Sequence, residues 1–183
     1  MSKLAVFFAE GYEEIEALAV VDICRRCEIQ VDMVSINDEY AVIGSHGINV
    51  EMDKTFAEAD FSEYDMLVLP GGKIGTENLE AHQGLMEQIG AFYRDGKYIA
   101  AICAAPSIFG HRGYLNGRNA CSYPSFESHL MGAEVTEGPV EISDHVITSR
   151  GMGTAIDFGL AIAGVLCGEE KAKEMAQTIV YRT

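Results

Sequence analysis

Runs of strand length that are apolar on both faces, alternating with longer amphipathic stretches, most constrain what this chain can fold into. Lys3 to Ala9 is an apolar strand, Glu13 to Cys27 a helix, and Gln30 to Ile36 a second strand with β-branched alternation. Strand, helix and strand make one βαβ unit. Residues 40–51 predict a small hairpin around Gly44 and Gly47, and Asp65 to Leu69 a further apolar strand ending in Pro70-Gly71-Gly72. A helix from about Gln83 to Arg94 leads to the strand Tyr98 to Ile102; a strand over Asn119 to Tyr123 follows. Val140 to Ser143 and His145 to Ser149 form a hairpin through Asp144, before helices over Thr154 to Cys167 and roughly Glu169 to Val180. A strand without a polar face has to be covered on both sides, so the pattern predicts an α/β fold with a largely parallel sheet, an αβα sandwich.

The chain has 183 residues, 48% of them hydrophobic, which suits a single domain spanning 1–183. No repeat and no linker rich in Pro, Gly and Ser marks a boundary. Thirteen basic residues against 28 acidic ones leave a net charge of -15, which repels phosphate backbones and anionic membranes. Neither nucleic acid nor a membrane is an expected partner. No run approaches the ~20 apolar residues of a membrane span, and the first residues lack a signal-peptide pattern, so a cytoplasmic location is expected. The five cysteines, 24, 27, 103, 121 and 167, are an odd count without framework spacing and are read as reduced thiols. Cys24 and Cys27 end a helix, where the dipole disfavours a thiolate, and no further ligands are spaced for zinc, so a structural role is expected.

Ile99 to Gly110 runs from an apolar strand into Cys103 and then into a small-residue helix, which puts Cys103 on a tight elbow. Helix amides facing the sulfur would favour a nucleophilic thiolate, although a lone cysteine is also often a core residue. In an open parallel sheet the ligand crevice lies beyond the carboxyl ends of the strands, where Gly11 to Glu16, Gly71-Gly72 and Cys103 fall together. Glu16 shares its helix face with Ala19, Val20, Ile23 and Cys27. Its carboxyl is therefore expected to be buried and protonated, able to hydrogen-bond the cysteine or to be satisfied by backbone amides. Gly71 and Gly72 offer backbone amides to an oxyanion or make a plain turn. There is no phosphate-binding loop, and the five histidines, 46, 82, 111, 129 and 145, are scattered and read as surface or cap residues. Leu18, Val21 and Arg25, on the other flank of the Glu13 to Cys27 helix, suggest a homodimer contact.

Five ordered motifs carry a resemblance: Gly11-Tyr12-Glu13-Glu14-Ile15-Glu16, Val21-Asp22-Ile23-Cys24-Arg25-Arg26, Val68-Leu69-Pro70-Gly71-Gly72, Ala100-Ala101-Ile102-Cys103-Ala104-Ala105-Pro106 and Thr148-Ser149-Arg150-Gly151-Met152-Gly153-Thr154. Together they resemble the ThiJ/PfpI superfamily, and within it the branch of the parkinsonism-associated deglycase. The resemblance implies a flavodoxin-like sandwich, usually a homodimer, with Cys103 as nucleophile, Glu16 as the protonated carboxyl beside it, and the Gly72 and Ala104 amides as the oxyanion site. It implies a cofactor-independent glyoxalase or deglycase acting on small reactive carbonyls, 2-oxoaldehydes such as methylglyoxal and glyoxal. The alternative is an oxidative-stress sensor whose cysteine oxidises to a sulfinic acid. No metal or nucleotide is expected. Two positions depart from the pattern. Ala104 stands where the peptidase branch has a histidine, which removes a Cys-His pair and speaks against proteolysis. Tyr123 stands where the animal deglycase has a histidine, and its hydroxyl can bind a substrate oxygen but is a poor base near neutral pH.

Overall fold

The computed structural model describes residues 1–182. In chain order the elements are β1 (Lys3–Phe8), α1 (Glu14–Arg26), β2 (Gln30–Ser35), β3 (Ala41–Ile43), β4 (Asn49–Glu51), β5 (Lys54–Thr55) and β6 (Met66–Leu69). After these come α2 (Lys73–Ala81), α3 (Gln83–Arg94), β7 (Tyr98–Ile102), α4 (Pro106–His111), β8 (Asn119–Ala120) and β9 (Glu134–Val135). The chain closes with β10 (Val140–Ser143), β11 (Val146–Ser149), α5 (Ala155–Cys167) and α6 (Glu169–Thr178). Seven strands form one sheet in the order β10-β11-β7-β6-β1-β2-β5, parallel except for the β10–β11 hairpin.

Alternate residues of the central strands enter two separate cores, which is why those strands read as continuously apolar. Leu4, Val6, Phe8, Val68 and Ile102 face α1 and α5, packing with Val20, Ile23, Phe158 and Ile162. Ala5, Phe7, Leu67, Leu69 and Ile99 face the other way, against Leu79, Leu85, Ile89 and Phe109 of α2, α3 and α4. From β1 the sheet grows towards β2 on one side and β6 on the other, so strand order reverses between β1 and β6. A crevice opens at the carboxyl ends of the strands flanking such a reversal, and the loops after β1, β6 and β7 line it. Among the described residues, no helix is long and apolar enough to cross a membrane.

Two local expectations are corrected. Helix α2 was not legible, because Gly75, Thr76 and Asn78 are weak helix formers. Docking holds it: the Gly75 N–H donates to the Gly11 carbonyl at 3.1 Å, and Leu79 is fully buried. The strand expected over Asn119 to Tyr123 stops at Ala120, pairing with β9 in a separate two-stranded sheet. Beyond it, Cys121 N–H donates to Thr148 Oγ1 at 3.0 Å and Tyr123 N–H to the Cys103 carbonyl at 2.9 Å, so the segment turns towards the site instead. On the flank of α1 read as a dimer contact, Val21 is already buried within the chain, and Arg25 donates to Asp53 at 2.6 Å. Leu18 is partly buried and Arg25 exposed on the same flank.

Candidate active site

Cys103 leaves β7 with φ of +66°, a left-handed conformation that costs a non-glycine residue roughly 1–3 kcal/mol. The turn is pinned from both sides: its N–H donates to the Ser149 carbonyl at 3.0 Å, and its carbonyl accepts from Tyr123. Ser149 is itself anchored, donating to the Pro139 carbonyl at 2.7 Å and lying 2.7 Å from Thr154 Oγ1. The Thr148 to Thr154 motif is thus the buttress of the elbow. Helix α4 begins only at Pro106, after a turn through Ala104 and Ala105, and not directly at the cysteine.

Glu16, in the first turn of α1, is 1% exposed. One carboxyl oxygen accepts from Gly71 N–H at 2.9 Å, and the side chain lines the same cavity as Cys103. Burial pushes its pKa up to about 7 from an ordinary 4.5; the contacts with Cys103 and Gly71 pull against burial, and the Glu13 charge adds to it. Burial likewise pushes the Cys103 thiol up to about 12, reinforced by the charge and hydrogen bond of Glu16. The N–H groups of Gly72 and Ala104 reach the sulfur and oppose that rise. The expected thiolate-favouring amides are therefore present but outweighed by burial, to which Glu16 adds while it is charged. With Glu16 protonated the repulsion vanishes, and its O–H can donate to a thiolate.

The two glycines after β6 do different work. Gly72 aims its N–H at the sulfur, whereas the Gly71 N–H is committed to Glu16 and is not free for a substrate oxyanion. Gly71 also has no room for a side chain: a Cβ there would stand 2.5 Å from Glu16 Oε2 and 2.6 Å from Cys103 Cβ. Gly71→Ala is expected to part the carboxyl from the sulfur. The alkylation profile of Cys103 with iodoacetamide should then shift to lower pH, and a profile matching the parent would show that the two stay together.

Cys103, Glu16, Gly72, Ala104 and Tyr123 line one cavity of about 350 Å³, with Phe126 and Met152 supplying apolar wall. Wider clefts of about 510 Å³ beside Arg94 and about 860 Å³ beside Lys3 contain neither cysteine nor serine. The tyrosine ring is half exposed at the mouth. Cys24, Cys27 and Cys121 are buried, and burial raises all three thiols, consistent with packing roles. His82 caps α3, its Nδ1 accepting from Leu85 N–H at 3.0 Å.

His46, read from the sequence as a surface residue, lines the Cys103 cavity from within the same chain. Its signal, a histidine in the Gly44 to Gly47 excursion, was indistinguishable from a solvated turn. Glu13, Glu14 and His46 bring ligand atoms within 4.8 Å of one another, the one such group of three among the described residues, and could receive a divalent cation.

The sequence profile of the DJ-1/PfpI family matches residues 2–164, spanning every site residue named above. The chain belongs to the DJ-1/PfpI family. Among its relatives, Protein dj-1beta of Drosophila melanogaster is 35% identical over 183 residues, covering 98% of each chain. The protein named Glutathione-independent glyoxalase DJ-1 of Schizosaccharomyces pombe is 29% identical, covering 93% of this chain and 94% of that one. The solved structure titled Toxoplasma gondii DJ-1, oxidized, superposes with a TM-score of 0.95 at 34% identity over the full length of both chains. The chain spans less than half the length of the Arabidopsis thaliana relatives DJ-1 homolog B and A, 42% and 45% respectively. The mostly parallel sheet agrees with the DJ-1/PfpI assignment.

Proposed function

We propose that this DJ-1/PfpI protein is a cofactor-independent glyoxalase that converts 2-oxoaldehydes to 2-hydroxy acids through Cys103. The observation that carries the reading is the buried Glu16 carboxyl, which shares one cavity with Cys103 and whose pKa burial pushes up to about 7. A carboxyl with a pKa near the working pH is suited to both taking and giving a proton. The Cys103 thiolate adds to the aldehyde carbon of methylglyoxal while Glu16 holds its proton, and the resulting oxyanion meets the Gly72 and Ala104 amides. Protonation of that oxygen gives the hemithioacetal. The ionised Glu16 removes the hydrogen on the former aldehyde carbon, an enediol forms, and Glu16 returns the proton to the neighbouring carbon. The product is a thioester, and water cleaves it to lactate and the free thiol. No oxidant or reductant enters, because one carbon is oxidised as its neighbour is reduced. The S. pombe relative's printed name supports this reading.

Incubation with methylglyoxal in the absence of glutathione should yield lactate; a purified protein that consumes none sinks the proposal. A deglycase reading requires release of an amine from a purified, stable adduct, and an adduct left unchanged removes it. The sensor reading draws support from the same sulfur environment, since two amides and a carboxyl O–H can hold a sulfinate. Selective addition of two oxygens at Cys103 under mild peroxide, with no carbonyl turnover, would favour it instead. We keep a homodimer as a proposal, shifted from Val21 to the exposed Ile15 of α1 and Ile156 of α5; light scattering decides it.

A further inference from the structure

We propose that a second cavity, adjoining the one at Cys103, is a subsite for a hydroxyl-bearing tail, so that the substrates of Cys103 include 2-oxoaldehydes with a polyhydroxylated chain, the class that sugars yield. The inference rests on the glyoxalase reading above and names a substrate class for that same site. The cavity has a volume of about 470 Å³, within the range of small-molecule sites, and shares Lys73 and Phe126 with the wall of the Cys103 cavity. The partition between the two is thus an exposed lysine arm and a half-buried ring.

Its position follows from the two amides that face the sulfur. Thr76 lies one turn along α2 from Gly72, its backbone N–H donating to the Gly72 carbonyl at 2.8 Å. Ser107 lies one turn on from Ala104, its hydroxyl donating to the Ala104 carbonyl at 2.7 Å. Gly72 and Ala104 line the Cys103 cavity, whereas Thr76 and Ser107 line the second. A substrate whose oxygen sits on the two amides therefore has a second chamber about one helical turn away, roughly 5.4 Å, in which each amide is succeeded by a hydroxyl. Methylglyoxal, with a single methyl group beyond its ketone, is too short to use it.

Thr76 is the group that calls for a ligand. The residue is 3% exposed, and its Oγ1 is buried without a hydrogen-bond partner. Buried hydroxyls are nearly always paired, and one left over is costly unless something else meets it. A helical threonine has two accessible χ1 rotamers, so the hydroxyl can turn to the cavity that its side chain lines. Among the described residues only Tyr12 and Arg150 hold another such atom, and neither lines this cavity.

The rest of the wall selects the tail. Lys73 is the one lysine or arginine in the lining, against the two carboxylates of Glu77 and Glu80, which disfavours a phosphate or carboxylate tail. Glu80 Oε1 lies 2.8 Å from His111 Nδ1, which leaves Oε2 to accept from a ligand. A wholly apolar tail would leave Thr76 unpaired and cover the carboxylates. A neutral hydroxyl both donates and accepts, so it suits Glu80 and Thr76 alike, while Phe126 covers the carbon chain. Turnover is as for methylglyoxal: water is added overall, the aldehyde carbon becomes the acid, the ketone becomes the alcohol, and the tail hydroxyls are untouched.

The probe is 3-deoxyglucosone, a six-carbon 2-oxoaldehyde with three tail hydroxyls, followed by mass spectrometry of its 2-hydroxy acid. It cyclises in water, so each variant is compared with the parent by the ratio of kcat/KM on this probe to kcat/KM on methylglyoxal. Thr76→Val keeps the shape and removes a hydroxyl that the fold leaves unpaired. It should lower the ratio about tenfold, the effect of one lost hydrogen bond between neutral groups, and should melt no lower than the parent. Thr76→Ser should keep the ratio near the parental value. With phenylglyoxal, whose tail is apolar, the valine should not lower the corresponding ratio. An unchanged ratio in Thr76→Val, an equal drop with phenylglyoxal, or a valine protein that melts earlier overturns the subsite. So does a parent that makes lactate from methylglyoxal and no acid from 3-deoxyglucosone, with the glyoxalase reading left standing. No lactate from methylglyoxal overturns both.

Discussion

Cys103→Ser is expected to reduce lactate formation from methylglyoxal on the order of 10³-fold or more while leaving the fold intact. Serine differs by one atom and fills the same left-handed turn, so the backbone contacts to Ser149 and Tyr123 have no reason to change. What changes is the nucleophile. A thiol buried beside a carboxyl is pushed up to about 12, yet a neighbour that can be protonated near neutrality and two amide donors leave its thiolate accessible. A serine hydroxyl has no such form near neutral pH, and Ala104 supplies no imidazole to activate it. Thermal unfolding within a few degrees of the parent together with lost turnover is the expected pair of results. Parental turnover in the serine protein would move the chemistry away from Cys103.

Glu16→Gln is expected to separate stability, thiol reactivity and turnover. A glutamine can still accept from Gly71 N–H and donate to sulfur, but it neither carries charge nor moves a proton. The folded protein holds the Glu16 proton more tightly than the unfolded chain. The stability contributed by this group is therefore complete below 4.5 and is lost as pH rises through about 7. The difference corresponds to about 3 kcal/mol at 1.36 kcal/mol per pH unit. Urea midpoints should accordingly show the variant gaining on the parent between pH 4.5 and pH 8, and a gap that does not change with pH would contradict the buried, protonated carboxyl. At the same time the Cys103 thiol loses the charge that raises it, so alkylation near neutral pH should speed up. Lactate formation should nonetheless fall on the order of 10²-fold or more, because the relay is gone. Faster alkylation with slower turnover distinguishes a proton-moving Glu16 from one that merely packs.

Strand-length segments apolar on both faces specified a covered parallel sheet, since no other arrangement hides Leu4, Ala5, Val6 and Phe7 at once. The abrupt passage from Ile102 through Cys103 to Pro106 likewise specified an elbow, and the apolar stripe carrying Glu16 specified a buried carboxyl. Each is a local property, readable from periodicity or from a change of chain direction. Helix α2 was not readable, because its stability comes from docking against Gly11 and not from its own residues. The division of labour between Gly71 and Gly72 depends on which amide points at which side chain, and spacing does not encode that. The state of Cys103 was decided by burial and by a carboxylate 87 positions away in the chain. His46 reaches the cavity because its loop is tied to Gly11, Tyr12 and Glu14, some thirty positions earlier in the chain. Sequence alone determined the sheet, the elbow and the acid beside it; tertiary structure decided which protons those groups share, because proton affinity depends on burial and on neighbours that only folding brings together.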